Sequence, residues 1–386
     1  MSEFRTIREL CSVVVDCPHS TPKWTANGKI VIRNNNIKHG RIDFSSPSYT
    51  DDEHFAQRIK RAKPQPGDII ITREAPIGDV GMIPENTECC LGQRMVLLRA
   101  NQSVCDNFYL LYSLQSLYVQ HQISWSEGTG TTVSNLRIPH LEQIQIPYLP
   151  LEQQAKISSV LRALEEKIEN NRRLNDNLQQ QAAALFSSLY DRSNTEVRFT
   201  DLIQILGGGT PKTGENTYWN GNIAFFTPKD VGIPYTLITE KTISKEGLSH
   251  CNSRLYPVNT VFVTARGTVG KVGMSGVPMA MNQSCYALVG KETHQLLVYF
   301  YTLKAVDRLK HKASGAVFDA ITTRDFESEQ IMKLADDDAT AFLRVAEPMF
   351  QEVLNNNIEN LRLSTLRDSL LPKLMSGEID VSAVQL

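Results

Sequence analysis

Apolar positions along this chain fall into two alternating regimes. Short apolar runs at residues 29–33, 68–72 and 95–99 are closed by turn formers such as Pro64, Gly67 and Pro84, and they predict strands of a mostly β or α+β globule. Phe108, Leu111, Tyr112, Leu114 and Val119 have helical spacing, so residues 107–122 are expected to form one helix. A run at 144–149, marked by Pro147 and Pro150, closes the globule. From 157 to 189 the spacing changes. Ile157, Leu161, Leu164, Ile168, Leu178, Ala182, Leu185 and Leu189 alternate steps of four and three, the seam of a coiled coil. Asn171 and Asn175 occupy the two missing seam positions, where a buried Asn costs stability but fixes register. A helix of 33 residues spans about 50 Å. The order then repeats, with strands near 223–227, 260–264 and 285–289 and a helix near 295–312. A second seam follows through Leu354, Ile358, Leu361 and Thr365, continuing less regularly in Leu366, Leu370 and Leu374, and Pro372 is expected to end or kink it. Neither seam is apolar enough to stand alone, so the helices are expected to pair with each other, antiparallel.

The repetition extends to residue identity. TREAPIGDVGM at 72–82 returns as TARGTVGKVGM at 264–274, an offset of 192 in 386 residues. Asn36-Ile37 pairs with Asp230-Val231, Gln93 with Gln283, Leu136 with Ile321, and Ile168-Glu169-Asn170 with Ile358-Glu359-Asn360. A period this long denotes a duplicated domain rather than a solenoid unit. The predicted organisation is a globule at 1–150, a helical spacer at 151–194, a second globule at 195–334 and a second helix at 335–386, in an α+β fold.

Composition narrows the class. Hydrophobic content of 41% supplies a core for each half. No apolar run reaches the roughly 18–20 residues of a membrane span, and the charged start has no signal-peptide core. Seven cysteines without a CxxC pair read as reduced thiols of a cytoplasmic protein. A net charge of −2 does not advertise a polyanion binder, so any nucleic-acid role must rest on local chemistry.

Catalytic constellations do not emerge. The glycines at 207–209 precede Thr210-Pro211-Lys212, not the Gly-Lys-Ser/Thr and helix of a phosphate-binding loop. The glycines at 78, 81, 267, 270 and 273 read as hairpin glycines. The chain has no Pro-Pro for an amino-methyltransferase motif, and its eight histidines include no HxxxH pair. Binding is the better class. Arg33, Asn34, Asn35 and Asn36, followed by Lys38 and Arg41, place Asn and Arg where two-point hydrogen bonds to adenine and guanine edges could form. The matching loop of the second half carries Lys229. Thr72 and Arg73 correspond to Thr264 with Arg266, and Gln93 and Arg94 to Gln283. Thr129 and Thr131, within GTGTT, and Thr210 and Lys212 lie in small-residue loops whose amides suit phosphates. Arg58, Lys60, Arg61 and Lys63, like Lys304, Arg308, Lys310 and Lys312, are solvated charge runs or phosphate contacts.

Together these motifs resemble the specificity (S) subunits of type I restriction–modification systems. GGGTPKTGENTYWNGNIAFFTPKDV at 207–231, TARGTVGKVGM and the ending LRDSLLPKLMSGEI at 366–379 carry the likeness. In the first half GKIVIRNNNIKHGRIDF, PGDIIITREAPIGDVGM, GTGTTVSNL and LPLEQQAKISSVL do so. The resemblance implies two similar β-rich target-recognition domains, each reading one half of a bipartite DNA site. Two long helices form an antiparallel coiled coil that sets the gap. It also implies a non-catalytic chain that binds double-stranded DNA, two DNA methyltransferase (modification) subunits and restriction/translocase subunits. S-adenosylmethionine, ATP and Mg are then expected only on those partners. A non-catalytic protein-interaction scaffold of two β-rich modules is the alternative.

Overall fold

The computed structural model describes residues 3–38, 40–125, 135–232, 234–312 and 320–382. Its two compact units are Met1–Lys167 with Leu363–Leu386, and Ile168–Arg362. Each unit therefore takes one portion of the helix Leu151–Asp191 and one of the helix Asp336–Met375.

In the first unit an antiparallel sheet runs in the order Cys11–Asp16, Met95–Ala100, Ile69–Arg73, Ile77–Met82. Successive side chains point to opposite faces, and both faces of this sheet are covered. Ile69, Ile71, Val96 and Leu98 pack with Tyr109, Leu114 and Ile123 of the helices Asn107–Gln115 and Leu117–Trp125. Ile70, Met95 and Leu97 pack with Ile32, Ile37, Cys89 and Leu91. Those partners belong largely to a smaller sheet, Ser48–Thr50, Lys29–Ile32, Cys89–Leu91, whose last pair is parallel. The helix expected across 107–122 is two helices. Ser116 is extended (φ −64°, ψ 146°), and its hydroxyl donates to Ser113 O at 2.6 Å while accepting from Val119 N at 3.4 Å. A serine that bonds its own backbone competes with the helix, and apolar spacing alone does not register that. Leu374, Met375 and Val381 join Ile157 and Leu161 in this unit's core. The helix also runs through Pro372 to Met375 instead of ending there. The same helix passes Pro348 in its interior; each missing N–H forfeits one bond, and Pro372 O still accepts from Ser376 N at 3.0 Å.

The second unit repeats the plan. Its sheet runs Ile203–Gly207, Cys285–Gly290, Val261–Thr264, Val272–Ser275, Tyr235–Thr236, antiparallel except for the last pair. Lys241–Ile243, Trp219–Phe226 and Met279–Met281 form the smaller sheet, again with a parallel final pair. The helix Gln295–Lys312 packs an aromatic core in which Phe300 lies 4.9 Å from Phe186, 5.2 Å from Phe342 and 5.5 Å from Phe350, ring centroid to centroid. Here the two long helices run antiparallel. Asn171 Nδ2 donates to Asn360 Oδ1 at 3.0 Å, Asn175 Nδ2 to Asn357 Oδ1 at 2.9 Å, and Asn356 Nδ2 to Asn175 Oδ1 at 2.9 Å. Asn171, Asn175 and Asn356 are all buried, so the amides satisfy one another where water is excluded. The fold is thus two α+β units of like topology, each containing a portion of both long helices, which run antiparallel in the second unit.

Candidate nucleic-acid interface

The repeated residues are mostly framework. Thr72 Oγ1 accepts from Asp79 N at 3.0 Å and Thr264 Oγ1 from Lys271 N at 2.9 Å, the same brace across the same hairpin, and both threonines are fully buried. Gly78 and Gly270 sit at φ 82° and 74° in those hairpins, a region glycine enters without strain. Asn36 Oδ1 accepts from Arg33 N at 2.9 Å, and Asp230 Oδ2 accepts from Thr227 N at 2.8 Å, closing equivalent turns. Leu136 N donates to Arg73 O at 3.0 Å as Ile321 N donates to Ala265 O at 2.9 Å.

Several residues expected to face DNA are therefore bound within the protein. Asn36, Thr72 and Thr264 are buried, and Asn36 Nδ2 is also committed, to Asp43 O at 3.0 Å. Asn34 Nδ2 donates to Glu74 O at 2.8 Å, and Arg41 donates to Glu165 O at 3.1 Å. Arg73 pairs with Asp16 at 2.8 Å, donates to Leu136 O at 2.8 Å, and its side chain is only 11% exposed. Arg58, from the first charge run, is 6% exposed. Its guanidinium donates to Leu91 O and Gly92 O at 2.8 Å, Ser20 O at 3.0 Å and Pro18 O at 3.2 Å. In the other run Arg308 and Lys312 flank buried Glu329 at 2.9 and 2.6 Å.

A second group is presented at the surface. Arg33 lies over the ring of Trp24 at 5.2 Å, and Asn35 is exposed. Lys38 pairs with Asp43 at 2.9 Å, and with the Ser45 amide it holds that carboxyl well below the usual carboxylate range. Arg94, at φ 65°, pairs with Glu74 at 3.2 Å yet stays 57% exposed. In the second unit Lys212, Arg266 and Gln283 are exposed, as is Lys229, which lies 3.7 Å from Glu240. Thr129 and Thr131 lie outside the described residues.

One repeated element escaped the sequence comparison. Thr21-Pro22-Lys23 recurs as Thr210-Pro211-Lys212 at an offset of 189, close to the 190 of Gln93 and Gln283. Gln93 Nε2 donates to His19 O and, at 3.4 Å, to Thr21 Oγ1, while Thr210 Oγ1 donates to Gln283 Oε1. Each loop is thus braced against the residue that follows the third strand of the small sheet by two. The units bring these segments together differently. In the first, the Arg58 guanidinium bridges 18–20 to 91–92. In the second the backbones meet directly: Gly209 N donates to Met281 O at 3.1 Å, and a Cβ on Gly208 would stand 2.2 Å from Asn282 O. That close approach explains why the second loop is glycine-rich and the first is not.

Among the described residues no cluster of His, Cys, Asp or Glu could hold a metal ion, and no helix is long and apolar enough to cross a membrane. The model of the type I restriction modification DNA specificity domain matches residues 3–180 and again 192–333. The MjaIX specificity subunit of a type I restriction enzyme from Methanocaldococcus jannaschii is 22% identical over 82% of this chain and 78% of its own length. The HindI specificity subunit from Haemophilus influenzae is 28% identical over 47% of this chain and 40% of its own. The crystal structure of a type I restriction-modification S subunit from M. genitalium superposes with a TM-score of 0.62, covering 97% of this chain and 96% of that one at 18% identity, which marks a shared fold. With both halves matching one domain model, the chain belongs to the type I restriction–modification DNA specificity family.

Proposed function

We propose that this chain is the DNA-specificity subunit of a type I restriction–modification complex. Each unit reads one part of a bipartite duplex target, and the paired helices set the gap and dock the DNA methyltransferase subunits. The chain itself performs no catalysis. S-adenosylmethionine, ATP and Mg belong to the modification and restriction/translocase partners, and the complex works in the cytoplasm. One observation carries this reading: two copies of one scaffold present unlike side chains, Arg33, Asn35 and Arg94 in the first unit against Lys229 and Arg266 in the second. Arg suits the guanine edge and Asn the adenine edge, so unlike tips suit unlike half-sites.

The test is adenine methylation across the genome of cells expressing the chain with its modification subunit. A two-part motif is expected. Arg33→Ala with Asn35→Ala should relax one part only, and Lys229→Ala with Arg266→Ala the other, each lost two-point contact costing about 1–3 kcal/mol of discrimination. An assembled complex that methylates no two-part motif would refute the proposal.

A further inference from the structure

We infer that the two Thr-Pro-Lys loops, residues 21–23 and 210–212, are matched phosphate anchors for duplex DNA, one in each unit, with Gln93 and Gln283 as their positioning residues. The inference rests on the DNA-reading function proposed above and adds which side chains are blind to sequence. Its logic is a contrast within one molecule. The exposed tips differ between the units, whereas these loops repeat the same three residues on the same brace. If the halves read different bases, side chains doing one job in both halves face what both half-sites share, the sugar–phosphate backbone.

The loops are built to hold a lysine in place. The threonine hydroxyl is tied to the glutamine in each unit, and the proline fixes its own φ. The lysine carbonyl is taken by a donor from a neighbouring segment: Thr50 Oγ1 donates to Lys23 O at 2.8 Å, and Trp219 Nε1 to Lys212 O at 3.3 Å. With the backbone held at both ends, the ammonium remains as the free part. Lys212 is exposed and, among the described residues, forms no ion pair. The Lys23 side chain is 64% exposed and pairs with Asp51 at 3.2 Å. A phosphate must compete with Asp51 for Lys23, so Lys212 is the stronger anchor. A lysine suits this task because it meets phosphate as a mobile point charge and carries no fork to match a base edge.

The experiment measures binding of the complex reconstituted with its modification subunits to mixed-sequence duplex DNA and to the methylated target, across a salt series. Each neutralised phosphate contributes about 0.9 to the slope of log K against log salt. Lys212→Ala should lower that slope by about one on both duplexes and leave the methylated motif unchanged, with a smaller fall for Lys23→Ala. Gln283→Ala should weaken the slope in the same direction without changing the motif, which a purely structural loss in the unit would not do selectively. An unchanged slope in Lys212→Ala, with the wild-type complex binding DNA, overturns the anchor alone. So does a changed base in the motif, because it makes the lysine a reader. A wild-type complex with no salt-dependent duplex binding overturns both the anchor and the proposed function.

Discussion

Arg58→Ala tests how the first Thr-Pro-Lys loop is held. The guanidinium is buried and satisfies carbonyls at 18, 20, 91 and 92 over 2.8–3.2 Å. A hydrogen bond from a charged donor contributes about 1.5–3 kcal/mol, so simple addition over these acceptors gives about 6–12 kcal/mol. That sum overstates the loss. Water enters the vacated volume and re-solvates part of the carbonyls, and removing a buried charge relieves its desolvation. A net cost of about 3–5 kcal/mol to local stability remains. It should appear as hydrogen exchange faster by about a hundred- to several thousandfold at residues 17–24 and 89–95, where those amides open locally. Residues 208–212 and 279–283 lie in the other unit, where glycine approach replaces the arginine, and serve as the internal control. Arg58→Lys keeps the charge but offers at most three donors and no planar fork, so it should recover only part of the protection. Exchange within tenfold of wild type in Arg58→Ala would refute the reasoning.

Two further outcomes follow from polar groups elsewhere. Asn175→Leu orphans buried Asn356 and its neighbour Asn357, and should lower the urea midpoint by the equivalent of about 2–4 kcal/mol; replacing all three by Leu should restore or exceed wild-type stability, and a neutral single variant would show that the amides do not depend on one another. Glu88, between Lys29 and Lys63, has its carboxyl held down to about 2 from an ordinary 4.5, mainly by hydrogen bonds from those two ammonium groups. A depressed carboxyl stabilises the fold above the unfolded pKa and loses that contribution as pH falls from about 4.5 to about 2. The stability gap between wild type and Glu88→Gln should therefore close over that window in acid unfolding, and a constant gap would rule the pairing out.

Residues that perform a job locally could be read from the chain, and residues whose job is set by distant neighbours could not. Thr72 and Thr264 each brace a hairpin to a residue seven positions on, so their recurrence at an offset of 192 marked real equivalence. The seam spacing around Asn171 and Asn175 marked the long helix for the same reason: heptad geometry is local. Arg58 is the opposite case. Within RIKRAK it looks like one cation among several, and only the approach of residues 18–20 and 91–92 makes it an internal clamp. The candidate interface divides along the same line. Arg33, Asn35, Arg94, Lys229 and Arg266 stay at the surface, but Thr72 and Thr264 were chosen for their repetition, and a hairpin brace repeats as faithfully as a binding residue. Arg73 was chosen because its counterpart is Ala265, and an internal ion pair can differ between repeats as readily as a reading tip. Thr-Pro-Lys was legible at an offset of 189 and was masked by the dissimilar glycines before it.

The first unit has a late dependency in time. Its core includes Leu374, Met375 and Val381, and the unit comprises Met1–Lys167 together with Leu363–Leu386. On a ribosome the whole of Ile168–Arg362 is made before the residues that complete that earlier core. The unit synthesised first is thus the one that finishes folding last, and while residues 168–362 are being made it lacks part of its apolar core. A chain cut near residue 363 would keep the contiguous second unit and lose part of the first, so late damage would surface in the portion made earlier.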